Sequence, residues 1–219
     1  MGVKERKNRR SFVRQKAFRP YKKLFVLAME GDKTEPRYFE MFKNPDAVIR
    51  LKLLNNQQDS SPARILSHME KYLRQEGLKE SDEAWIIVDR DQWREDSLAK
   101  LYEWSRTADN RGLALSNPNF EYWLLLHFED GNDIRDPRQC LVRLKSHIPQ
   151  YDKEINLRKI NQSHIEKAIQ RAKVRDNPPC VDWPRSTGMT TVYRLVEKLL
   201  AHTGDRETFS GAPVRSPKS

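Results

Sequence analysis

Trp85-Ile86-Ile87-Val88-Asp89-Arg90-Asp91 is a short apolar run that ends in two carboxylates one residue apart. Consecutive apolar residues without alternation read as a strand buried on both faces, the pattern of a parallel sheet. Two like charges this close to a buried strand end repel each other unless a cation or a proton intervenes. A second junction of the same kind lies upstream, where Leu24-Phe25-Val26-Leu27-Ala28-Met29 runs into Glu30-Gly31-Asp32-Lys33-Thr34-Glu35. The sequence predicts that these two strand ends meet in space and form one metal site.

The flanking segments supply the remaining elements. Gly31 breaks the first strand, and Thr34 is the expected N-cap of a helix carrying Tyr38, Phe39 and Phe42. Residues 48–54 alternate and predict a half-exposed strand near a sheet edge. Ser61-Pro62 opens an amphipathic helix that Gly77 closes. Asp96 to Thr107 reads as a third helix, Gly112 to Leu115 as a fourth strand, and residues 119–128 as a largely apolar helix. Further helices are predicted at 137–147, 161–173 and 188–202.

Strands alternating with helices imply βαβ units. The expected fold is α/β, with a mainly parallel four-stranded sheet flanked by helices and a helical C-terminal part. The predicted organisation is a basic disordered tail over 1–20, an α/β core over 21–130, a helical extension packing on it over 131–203, and a flexible tail over 204–219. In such sheets ligands bind beyond the carboxyl ends of the strands. Glu30, the Asp89/Asp91 pair and Ser116-Asn117 all fall there.

The chain has 219 residues and net charge +10, with no apolar run approaching the roughly 20 residues of a membrane span. Its basic start lacks the apolar segment of a signal peptide, so a cytoplasmic protein is expected. Cys140 and Cys180 lack metal-type spacing and read as free thiols of a reducing compartment. Residues 1–23 hold ten Lys and Arg against one acid, leaving +1 for everything after them. The basic character is mostly a tail, and its Arg6, Lys7, Arg9, Arg10, Arg14 and Lys16 are candidate contacts to nucleic-acid phosphates.

Asp89 and Asp91 are hard oxygen donors, and residues i and i+2 of an extended segment point the same way, so both can face one ion. Mg²⁺ (or Mn²⁺) suits one or two carboxylates completed by waters and phosphate oxygens. Glu30 is a candidate third ligand or general acid/base, and Glu121 a further carboxylate for the cluster. Lys33, Asn117 and Arg90 are candidate phosphate contacts. Glu35 fits an alternative role as a first-turn carboxylate favoured by the helix dipole. Lys33-Thr34 lacks the first glycine and spacing of a P-loop, so no nucleotide hydrolysis by this chain is expected. The D-x-D-x-T of haloacid-dehalogenase phosphatases follows a first strand, whereas this pair follows the third and continues Gln92-Trp93.

Glu at the end of a first strand and D-x-D at the end of a third resemble the Toprim domain of topoisomerases, primases and overcoming-lysogeny nucleases. More closely, Glu30-Gly31-Asp32-Lys33-Thr34-Glu35-Pro36-Arg37-Tyr38-Phe39, Val88-Asp89-Arg90-Asp91, residues 116–128 and Thr190-Thr191-Val192-Tyr193-Arg194-Leu195-Val196 resemble the RloB family, over about residues 20–200. The resemblance implies a Toprim-like, Mg²⁺-dependent nuclease of bacterial or archaeal antiviral defence, often encoded beside an RloA-type ATPase. It implies Glu30 as acid/base and Asp89 and Asp91 as metal ligands, and leaves DNA and RNA open as substrates. A non-catalytic nucleic-acid-binding or regulatory subunit of such an ATPase complex is the alternative.

Overall fold

The computed structural model describes residues 22–43, 48–55, 61–90, 93–151 and 159–202. The expected tails over 1–20 and 204–219, with the six tail residues named above, lie outside the described residues, as does Asp91. The elements run β1 (Lys23–Met29), α1 (Thr34–Glu40), β2 (Ile49–Asn55), α2 (Pro62–Glu76), β3 (Glu83–Asp89), α3 (Glu95–Ser105), β4 (Arg111–Asn117), α4 (Phe120–Leu125), α5 (Pro137–His147), α6 (Gln162–Arg175), β5 (Met189–Thr190) and α7 (Val192–Leu200).

The sheet order is β2-β1-β3-β4-β5. The β2–β1, β1–β3 and β3–β4 pairs are parallel, as the unbroken apolar runs require. The expectation of four strands is corrected to five: Met189–Thr190 pairs antiparallel with Ser116–Asn117 on the outer edge of β4. Two residues carry no periodicity, so only their partners mark them as a strand. The Thr190 hydroxyl lies 2.9 Å from the Ser116 hydroxyl, and the Leu115 N–H donates to Thr191 Oγ1. The paired threonines thereby cover the backbone groups of a strand edge that would otherwise face outward.

Both faces of the sheet are buried. Phe25, Leu27, Met29, Trp85, Ile87 and Ala114 face one layer, which contains residues of α1 and of α4 to α7. Leu24, Val26, Ala28, Ala84, Ile86, Val88, Leu113 and Leu115 face the other, with α2, α3 and Trp183. Burying each large apolar side chain contributes about 1.5–3 kcal/mol. The C-terminal helices thus share one core with the sheet. The Trp85 ring lies over Gly112, where an added Cβ would stand 2.5 Å from it, so only glycine fits beneath the indole.

Chain order fixes where a ligand has room. From β1 the chain crosses through α1 to β2 on one side. It then returns through α2 past β1 to β3, and on through α3 to β4. The direction of winding reverses between β1 and β3, so their connections leave on opposite faces and open a crevice beyond their carboxyl ends.

Candidate active site

Glu30 stands at that reversal. Its N–H donates to Ile87 O at 3.1 Å, which carries the β1–β3 ladder one residue past β1. The Asp89 N–H donates to Glu30 Oε2 at 3.0 Å, and the Trp93 indole N–H lies 3.0 Å from both carboxylate oxygens. Arg90 N–H donates to Ser116 O at 2.8 Å, so the ends of β1, β3 and β4 are tied side by side. The two strand ends meet through the Asp89 N–H and the Glu30 carboxylate. These two donors are neutral and fix the orientation of the Glu30 carboxylate.

Glu35 lies in the first turn of α1, but its role exceeds that of a solvated dipole partner. It is 5% exposed and accepts the Gly31 N–H at Oε1, 3.1 Å away. Its carboxylate packs directly on Gly31, where an added Cβ would sit 1.9 Å from Oε2. Burial pushes its pKa up to about 7. Hydrogen bonds from its own backbone and Gly31 act against this, while the charges of Glu121 and Glu30 raise it further. Glu121 in turn accepts the Tyr151 hydroxyl at 2.9 Å, and that hydroxyl lies 3.3 Å from Thr34 Oγ1. Thr34 is the first residue of α1 rather than its cap, with Lys33 at the capping position.

The other candidates take definite places. Lys33 is exposed at the start of α1. The Asn117 amide nitrogen donates to Pro184 O and Arg185 O, and Gly188 N–H returns a bond to Asn117 O, so Asn117 holds the 184–188 loop against β4. Arg90 donates to Trp93 O at 2.8 Å and to Glu95 at 3.0 Å, and Glu95 also pairs with Arg185. His127 is a core histidine. Its Nδ1–H donates to Trp123 O, its Nε2 lies 3.2 Å from the Tyr38 hydroxyl, and burial lowers its pKa to about 3. Cys140 and Cys180 are free thiols.

Sequence reading missed Glu35, Trp93 and Tyr151 as parts of this site. For Glu35 a signal existed: a glycine beside the first carboxylate leaves room for an acid one helical turn on. Trp93 and Tyr151 reach in from segments with no periodic pattern. Among the described residues, no three Asp, Glu, His or Cys side chains stand as a metal-holding group. The chemistry of the donor set still fits a hard divalent ion, since it consists of carboxylate oxygens whose mutual repulsion a cation would relieve.

The fold and site together define an α/β protein with carboxylates gathered at the winding reversal of a mostly parallel sheet. The chain belongs to the RloB-like protein family, whose model matches residues 25–199. No curated protein and no solved structure matches it. No helix among the described residues is long and apolar enough to cross a membrane.

Proposed function

We propose that this protein is a divalent-metal-dependent nuclease of the Toprim type, hydrolysing phosphodiester bonds of DNA or RNA. The observation that carries the reading is the contact of the Asp89 N–H with the Glu30 carboxylate at the β1–β3 reversal, with Glu30 and Glu121 close enough to Glu35 for their charges to act on it. Asp89 and Asp91 would hold Mg²⁺ or Mn²⁺, which when bound offsets the negative charge of the phosphoryl transition state. Glu30 accepts the proton of the attacking water, held in place by the Asp89 N–H and the Trp93 indole. Water oxygen forms the new bond to phosphorus, and the bond to the leaving sugar oxygen breaks as that oxygen takes up a proton. Lys33, exposed at the start of α1, is a candidate contact to a phosphate. The family resemblance supports a cytoplasmic role in antiviral defence with an RloA-type ATPase partner.

A second reading, a non-catalytic nucleic-acid-binding or regulatory subunit of such a complex, draws on Trp93, whose indole lies against both oxygens of Glu30. A cleavage assay on mixed DNA and tRNA with Mg²⁺ or Mn²⁺ separates the two. Cutting that is lost on Asp89→Asn and on Glu30→Gln is the expected result. No cutting under either metal, with the ATPase partner and nucleotide present, sinks the nuclease reading.

A further inference from the structure

Helix α6 concentrates charge in a body that is otherwise close to neutral. Its fourteen residues carry Lys167, Arg171, Lys173 and Arg175 against Glu166 alone. Lys167, Arg171 and Arg175 recur every fourth residue, which places them along one face of the helix. That face borders a cleft of about 670 Å³ whose opposite wall is Asp130 and Asn132. The apolar side of the same helix, Ile165, Ala168, Ile169 and Ala172, is buried. The cationic face is therefore held in a fixed direction.

Two of the three cations are held in place by that wall. Arg171 donates from Nε to Asp130 at 2.7 Å and from Nη1 to Leu126 O at 2.8 Å. Arg175 is hydrogen-bonded to the Asn132 side chain. Lys167 is exposed. The lining holds three positive charges and one negative, and its field reaches further: His164 is held below the usual range by burial and by Lys167 and Arg171. Core packing does not require such a row, because apolar residues on the other side of α6 already dock the helix.

We infer that the α6 cleft binds the phosphodiester backbone of a nucleic acid. A row of cations spaced one helical turn apart, about 5.4–6 Å, matches the repeat of a phosphate chain far better than it matches a single small anion. Braced guanidinium groups lose little freedom on meeting phosphate oxygens. The inference deepens the nuclease reading and rests on it only for the role of the bound strand, which would flank the scissile phosphate. Asp130 follows α4, whose second residue is Glu121, so one short segment links the carboxylate site to the cleft.

The test is a fluorescence-anisotropy titration of the full chain with labelled single-stranded and duplex DNA and RNA at several salt concentrations. Lys167→Gln/Arg175→Gln is compared with Lys71→Gln/Lys100→Gln, an equal change of charge on exposed positions of α2 and α3. Thermal melts check that both variants fold. The α6 variant is expected to bind at least tenfold more weakly, with its salt slope reduced by about two, while the control stays near wild type. Equal affinity and slope in all three proteins overturn the inference and leave an acidic protein as the cleft's partner; equal weakening of both variants overturns it too. Binding that depends on α6 in a chain that never cleaves would keep the inference and reject the nuclease reading.

Discussion

Glu83 and Glu35 are each 5% exposed, yet they occupy opposite ends of one sheet in opposite states. At the amino end of β3, burial pushes Glu83 up, but hydrogen bonds from Lys23 at 2.7 Å, the Trp85 indole at 2.8 Å and Lys198 at 3.0 Å outweigh it and leave the carboxyl below its usual range. Asp82 beside it accepts the Leu24 N–H. At the carboxyl end, burial raises Glu35, and its charged neighbours Glu121 and Glu30 raise it again. Equal burial thus produces a satisfied ion cluster in one place and crowded like charge in the other. A fold selected for stability alone would neutralise both ends. The end where Glu35 has carboxylate neighbours is also the end where chain winding opens a crevice.

The sharpest way to break this contrast is to remove charge at both ends and compare rates. Glu30→Gln and Asp89→Asn are each expected to lower metal-dependent cleavage by about 10²–10⁴-fold, whereas Glu83→Gln should stay within about twofold of wild type. Initial rates on one labelled substrate decide it. Comparable losses at both ends would mean that the carboxyl-end cluster has no special part in catalysis.

Stability against pH sharpens it next. The unfolded chain releases the Glu35 proton near 4.5, while the folded metal-free chain holds it until about 7. Between those values the folded state binds more protons. The stability linked to Glu35 is therefore full below 4.5 and is lost as pH rises through 7, by about 3 kcal/mol. Urea unfolding at pH 5 and pH 8 should show the fall in wild type and a flatter profile in Glu35→Gln. Mg²⁺ should restore part of the loss at pH 8 if it binds the ionised cluster. An unchanged slope in Glu35→Gln would place the titration elsewhere.

Much of this contrast is visible in the sequence, and the part that is not has a definite cause. Leu24–Met29 and Trp85–Val88 are apolar without interruption because both faces of the sheet are covered, so the strands and their charged ends stand out. Pro62 and Gly77 frame α2 as their backbone preferences dictate, with Gly77 at φ 72°. The fifth strand does not stand out, because its two residues are specified by hydroxyl contacts to β4 rather than by any pattern of their own. Glu35 reads as an ordinary first-turn acid until Gly31 is seen beneath it. The difference between Glu83 and Glu35 depends on Lys198, Glu121 and Tyr151, all remote in sequence, so no local pattern separates a neutralised carboxylate from a crowded one.

At the amino end the expected effects are on stability alone. Glu83→Ala leaves the Trp85 indole N–H without its partner and Lys23 and Lys198 without their counter-ion. The lysine side chains are 21% and 45% exposed and can turn to water, so the indole dominates and the loss is about 1–3 kcal/mol. A shift in the urea midpoint at unchanged m-value measures it.

Trp93 carries the smallest expected effect and tests the second reading most directly. Trp93→Phe keeps an aromatic ring against the α2–α3 side of the core but removes the N–H from both oxygens of Glu30. The Asp89 N–H still holds Oε2, so Glu30 keeps that anchor. Stability should fall by about 1 kcal/mol, and cleavage by less than tenfold if the indole positions the carboxylate as a base. A rise in cleavage would give the indole the opposite role, that of a latch holding Glu30 away from water. The carboxyl end would then be a site held in check, its crowded charge kept from acting by one neutral donor.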